Sequence, residues 1–303
     1  MVIPEKTRFY IASLRLERWP RSLAILPGAV AALVLTFKTT SLVFAPGNLL
    51  PVILAFILTW LISSANYIVN EITDAPYDAF HPAKKDRPLV QGHISRSTLS
   101  LLGFCFTISA LAAGLAFFNR LFFWSLLTLF FAGLAYNLPP VRIKDIPYLD
   151  STLESANNPI RFLIGWYVFA TAFPPVFLLF SWWAFGNFLM IGKRVAEKKF
   201  LSTSQSAAYR KSLARSTVPG LLFFMIANAV VFLSTFVLFA LQTGLTTLIY
   251  STPFVIAYLF FFVWKSIHDQ EAAEEPEKLF KNPYFAIYTL FLAALFIIAF
   301  LLS

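Results

Sequence analysis

The sequence predicts an all-α, polytopic integral membrane protein: a single catalytic domain over residues 1–303 with nine transmembrane helices. Three observations predict it. Only 13% of the 303 residues are charged and 58% are hydrophobic, against about 25% charged in soluble globular domains. Apolar runs of about 20 residues, the length that crosses a hydrocarbon core, recur along the whole chain. The charged residues that remain are sorted by side.

In order, the spans fall near 24–44, 50–72, 97–117, 121–138, 151–172, 174–195, 217–241, 245–265 and 283–302. Ahead of them, residues 1–22 hold Lys6, Arg8, Arg15, Arg18 and Arg21 with no small-residue cleavage site after them, so no cleavable leader is expected. The stretch SLRLERWPRSLAI suits an interfacial helix with Trp19 at headgroup depth. Lining the entrance to a site is its other reading. With the amino terminus in the cytoplasm, all of the 24 Lys and Arg except Lys38 and Arg120 fall on the cytoplasmic side. That bias sets the orientation and predicts a multi-pass protein of the cytoplasmic (inner) membrane.

All 15 Asp and Glu also lie on that side or at the cytoplasmic ends of spans. Topology alone does not ask this of acids, so charged chemistry is expected at the cytoplasmic membrane surface, in loops near 73–96, 139–150 and 196–216. A transporter would instead place polar residues through the midplane or on both faces. Nucleic acid is excluded as a partner, because the basic side chains sit among lipid-facing helices and acids. The single cysteine, Cys105, lies inside an apolar run, so no disulfide framework exists. The acidic run DQEAAEEPEKLFK reads as a solvated loop. Whether the chain is a homo-oligomer is left open.

The second span ends in NYIVNEITDAPYD. Asn66, Asn70, Asp74 and Asp78 recur every four residues, so a helix sets them in a row on one face. Polar groups at that depth need partners and mark function. Hard oxygen donors at this spacing suit Mg²⁺, which bridges carboxylates to substrate phosphates. The bases that follow, Lys84, Lys85 and Arg87, would neutralise those phosphates. A helix end followed by a topology loop would explain the bases but not the row. His81, beside Pro82, reads as a surface hydrogen-bonding group more readily than as a base.

The fourth and fifth spans are joined by YNLPPVRIKDIPYLDSTLESANNPIR, which adds Tyr136, Lys144, Asp150, Asn157 and Arg161 as candidate substrate-binding residues, with Glu154 and Asn158 beside them. Five of these, from Asp150 to Arg161, share one helical face. For Arg161 two accounts stand side by side: pairing with Glu154 or Asn157, or contact with a substrate phosphate. At the end of the sixth span, GKRVAEKKF and AAYRKSLARS gather Lys193, Arg194, Glu197, Lys198, Lys199, Arg210, Lys211 and Arg215, denser than topology requires and read as an anion site. Three clusters around one cytoplasm-facing polar cavity suit Mg²⁺-assisted displacement of diphosphate, with a lipid co-substrate arriving from the bilayer.

NEITDAPYD resembles the NDxxDxxxD first motif of the UbiA superfamily of intramembrane prenyltransferases, whose nine-helix bundle matches the span count. Most members carry a second motif, DxxxD, after the sixth helix. Here GKRVAEKKF stands in its place. With AAYRKSL, and with HPAKKDRPLVQG after the first motif, it resembles the phosphoribosyltransferase branch, which makes decaprenylphosphoryl-5-phosphoribose. The likeness runs from RLERWPRS to the EPE near 275–277. Glu71 departs from the motif's Asp, and YNLPPVRIKD and ESANNP are closer to ordinary members.

The resemblance implies that Asp74 and Asp78, assisted by Asn70, hold Mg²⁺, and that Lys85 and Arg87 contact the pyrophosphate of phosphoribosyl pyrophosphate. Lys193, Arg194 and Glu197 would fill the second-motif role, toward either the 5-phosphate or a polyprenyl phosphate. Asp74, Asp78, Lys193 and Glu197 are thus the expected catalytic group. The activity it implies is transfer of 5-phosphoribosyl to a polyprenyl phosphate. The alternative is a prenyl diphosphate donor with an aromatic or glycerol-phosphate acceptor.

Overall fold

The computed structural model describes residues 5–37, 45–78, 85–200, 211–269 and 282–301, and it is helical throughout, with no strand among them. The helices are α1 (Glu5–Ser13), α2 (Leu26–Phe37), α3 (Leu49–Asp78), α4 (Arg96–Phe117), α5 (Arg120–Asn137), α6 (Leu149–Trp166), α7 (Val176–Phe200), α8 (Lys211–Arg215), α9 (Val218–Thr243), α10 (Thr252–His268) and α11 (Pro283–Leu301). A 3₁₀ helix, Leu16–Ile25, opens on Arg15 in the left-handed region (φ 48°) and leads into α2.

Among the described residues, seven segments are long and apolar enough to cross a membrane: Arg18–Thr36, Pro46–Pro76, Arg96–Phe117, Arg120–Asn137, Val176–Phe200, Val218–Thr243 and Thr246–His268. Two of the nine expected spans fall short. The apolar stretch Pro283–Ala299 is shorter. The span expected at 151–172 is the helix Leu149–Trp166, and Asp150, Glu154 and Arg161 keep it from being apolar enough. The surface is that of a membrane protein: Phe223, Phe260 and Leu50 are each more than 70% exposed, an arrangement that water would penalise and lipid does not.

The chain divides into two compact units, Met1–Ile143 with Ile160–Pro174, and Lys144–Pro159 with Pro175–Ser303. The division falls inside α6, next to Pro159. In the first unit α3 packs against both α4 and α5. With 30 residues, α3 is about 45 Å long, so its last turns outrun a hydrocarbon core of about 30 Å. Two glycines allow the closest helix approach here. A Cβ on Gly28 would meet the Phe162 carbonyl oxygen at 1.9 Å, and one on Gly165 would meet that of Ile25 at 1.9 Å. Such contact needs residues without side chains.

Beyond α3, a small core of Ile68, Ala75, Leu89, Ile94 and Leu99, joined by Phe9, Tyr10 and Leu14, ties the loop after the first motif to α1. Tyr10 accepts a hydrogen bond from the Ser95 amide (3.2 Å), and Phe9 stacks on His93 at 4.5 Å. Within the second unit α7 and α9 pack along much of their length, crossed by an Asn187–Asn228 side-chain hydrogen bond of 3.0 Å. Phe188, Phe262 and Phe285 fill its core.

Candidate active site

The predicted row on α3 is present and lies in the first unit. Asn66 donates to the Leu129 carbonyl (2.9 Å). Asn70 donates to Asn137 Oδ1 (2.7 Å), and Asn137 in turn donates to the Gly133 carbonyl (2.9 Å). Gly133 is what admits the amides, since a Cβ there would stand 2.2 Å from Asn66. One turn on, Asp74 Oδ1 receives Arg142 Nη2 at 3.0 Å. Asp78 pairs with Arg87, and Glu71 is shared by Arg15 (3.2 Å) and Arg87 (3.4 Å).

Each carboxylate at this end of α3 therefore has a guanidinium partner, and Asp74 and the arginines keep some exposure although Glu71 and Asp78 are buried. The side chains of Asp74, Arg142 and Arg87 are 17%, 14% and 20% exposed. Arg87 is held in place by its loop: Gln91 N bonds its carbonyl (3.0 Å), and Gln91 Nε2 bonds that of Lys85 (2.8 Å). Lys85 itself is exposed. Lys84, His81 and Arg210 lie outside the described residues.

Two residues that complete this end, Arg142 and Asn137, were not predicted. Arg142 sits beyond the cis Pro139–Pro140 bond, at φ 29°, and no local spacing ties it to Asp74. Asn137 follows the predicted Tyr136 at the end of α5. A pattern of amide side chains facing amide side chains was its only signal.

The second unit holds the other cluster. Arg194 is only 3% exposed and is enclosed by three acids: Nε–Asp150 Oδ2 at 3.0 Å, Nη2–Glu154 Oε2 at 2.8 Å and Nη1–Glu197 Oε2 at 2.8 Å. Ser212 adds a hydrogen bond to Asp150 (3.1 Å). Lys193 Nζ stands 3.9 Å from Glu197 Oε1. Lys198 donates to the Leu213 carbonyl (2.9 Å), which ties α7 to α8. Lys211 lies 3.9 Å from Asp145, with 61% of its side chain exposed. Lys144 is buried, and Asn157 turns back onto the Glu154 carbonyl (3.1 Å).

Arg161 corrects one expectation. Among the described residues it pairs with neither Glu154 nor Asn157. Its Nη2 reaches Ser63 Oγ at 3.4 Å, in the first unit, because Glu154 is engaged by Arg194.

Among the described residues, no three His, Cys, Asp or Glu side chains converge as a metal-binding group. The first-motif donors fit Mg²⁺ in kind: two carboxylates and an amide on one helix face, all hard oxygen donors.

A model of the UbiA prenyltransferase family matches residues 25–292. The chain belongs to that family. It is thus a multi-pass membrane protein and a transferase by family. Among curated relatives, a decaprenyl-phosphate phosphoribosyltransferase of Corynebacterium glutamicum is 28% identical over 229 residues, 73% of this chain and 64% of that protein. The Mycobacterium tuberculosis protein of the same name is 27% identical over 254 residues, 82% of this chain and 80% of its own. This chain thus spans just under two thirds of the length of the Corynebacterium relative. A solved UbiA homolog from Archaeoglobus fulgidus, described as bound to GPP and Mg2+, superposes with a TM-score of 0.69 at 21% identity. The superposition covers 96% of this chain and 99% of that one. At that identity the likeness establishes the UbiA fold.

Proposed function

We propose that this UbiA-family transferase moves a 5-phosphoribosyl group from phosphoribosyl pyrophosphate to a polyprenyl phosphate, at the cytoplasmic face of the inner membrane. The observation that carries the reading is the end of α7. Its one carboxylate there, Glu197, is engaged by Arg194 and Lys193, where a second metal-binding pair would need carboxylates facing a metal. A donor bound through two metal sites is poorly served by that arrangement. A substrate pair that brings additional phosphates is better served by a lysine. The names of the relatives support the same assignment.

Asp74 and Asp78, with Asn70, would hold Mg²⁺, which when bound supplies charge to the departing pyrophosphate. Arg87 and Lys85 take the remaining pyrophosphate charge. The C1–O bond to pyrophosphate breaks with its electron pair leaving on pyrophosphate. A lipid phosphate oxygen, already ionised at neutral pH, forms the new bond to C1. Arg142 and Asn137 are positioning residues that hold Asp74 and Asn70.

The second reading, a prenyl diphosphate donor with an aromatic or glycerol-phosphate acceptor, draws on the fold shared with a homolog described with GPP. One assay separates the two. Purified protein, Mg²⁺, labelled phosphoribosyl pyrophosphate and a polyprenyl phosphate should yield label in the organic phase, and EDTA should abolish it. No labelling across several chain lengths, from folded protein, would transfer the assignment to the second reading.

A further inference from the structure

Among the described residues Arg161 is left without an anion. Among the described residues no carboxylate pairs with it, its Nε is buried without a hydrogen-bond partner, and its Nη2 makes only the long 3.4 Å contact with Ser63. Nε and Nη2 form one edge of the guanidinium, the edge that grips phosphate through two parallel hydrogen bonds. A buried guanidinium with that edge unsatisfied is costly.

Its surroundings add cations. Arg21 and Tyr67 stand near enough to Arg161 to interact with it electrostatically, and Arg18 lies over the Tyr67 ring at 5.8 Å. On the adjoining side the contacts become aromatic: Trp19 meets Phe56 edge-on at 6.2 Å, and Phe56 stacks on Trp60 at 6.4 Å. Phe56, Trp60, Ser63, Tyr67, Asn70, Asp74 and Asp78 all fall on one face of α3 by helical spacing. That face thus runs from apolar, through Ser63 and Tyr67 beside the arginines, to the first-motif carboxylates. Tyr67 and Asp74 are about 10 Å apart along the axis, a separation that a ribosyl diphosphate can fill.

We propose that Arg161, with Arg21, Arg18, Ser63 and Tyr67, binds the phosphate monoester of the lipid acceptor, and that Trp19, Phe56 and Trp60 receive the first isoprene units. This rests on the proposed function and deepens it, for both substrates carry a phosphate monoester. The aromatic run next to the arginines selects the amphiphilic one. Lys193 is thereby left to the ribose 5-phosphate.

The test is direct binding without turnover, so that it stands apart from the transfer assay. Farnesyl phosphate, farnesol and ribose 5-phosphate are titrated into purified protein in detergent, read by tryptophan fluorescence and thermal shift. Farnesyl phosphate should bind at least ten times more tightly than farnesol, with no competition from ribose 5-phosphate. Arg161→Gln should weaken farnesyl phosphate at least tenfold, and Arg21→Gln at least threefold, which carries the test if Arg161→Gln does not fold. Unchanged affinity in the folded variants, equal binding of farnesol, or competition by ribose 5-phosphate would each overturn the assignment. Binding of farnesyl phosphate by a protein inactive in the transfer assay would instead sink the proposed reaction and leave this site standing.

Discussion

The two polar clusters use the same residue types in opposite proportion. At the end of α3, carboxylates are matched with separate arginines: Asp74 with Arg142, Asp78 with Arg87, and Glu71 with Arg15 and Arg87. At the end of α7, one arginine collects three carboxylates and is almost sealed. A pair with some exposure can exchange a partner for a ligand at modest cost. A guanidinium with every edge engaged cannot. On that contrast we propose that the α3 cluster serves exchange and that Arg194 holds α6 and α7 together within its unit. Arg194 was expected as a substrate-binding residue, and its three partners argue for positioning instead.

The largest expected effect follows from that contrast. Arg194→Met removes the shared partner of Asp150, Glu154 and Glu197, and breaking a buried ion-pair set costs about 3–5 kcal/mol. The thermal midpoint in detergent should drop sharply. A midpoint close to wild type with lost activity would show that Arg194 serves the substrate rather than the fold.

Asp78→Asn and Asp74→Asn should act the other way round. Each keeps the side-chain volume; at the partly exposed Asp74 stability should change by about 1 kcal/mol or less, and at the buried Asp78 by about 1–3 kcal/mol. Turnover in the transfer assay should fall by about 100-fold or more, the scale on which lost charge stabilisation in the transition state is felt. An Asp78→Asn protein that keeps its activity would remove the metal assignment.

How much of this was legible in the sequence depends on the range of each signal. The row from Asn66 to Asp78 is local, written in a four-residue period that a helix must display on one face, and α3 is that helix. The partner of Asp74 lies 68 residues away in an irregular loop, where nothing periodic marks it. Arg161 and Glu154 share a face by spacing alone, and only the tertiary position of Arg194 decides that Glu154 looks elsewhere. Hydropathy found the lipid-facing helices but undercounts α6. The same Asp150, Glu154 and Arg161 that make it chemically interesting depress its apolar signal. Sequence rules conflict where function sits.

The smallest effects separate two lysines of the second cluster. Lys193 is 16% exposed and close to Glu197, whereas Lys211 is 61% exposed beside Asp145 at the same 3.9 Å separation. An exposed pair of that length contributes about 0–1 kcal/mol, so Lys211→Ala should leave stability and both KM values within about twofold. Lys193→Ala removes the same formal charge from a drier position, where a phosphate contact loses less to solvent. Its KM for phosphoribosyl pyrophosphate should rise about tenfold, equivalent to about 1.4 kcal/mol, with the KM for the polyprenyl phosphate little changed. Equal, small responses from both lysines would mean that the density of charge at the end of α7 reflects membrane orientation alone, and the 5-phosphate would need another partner.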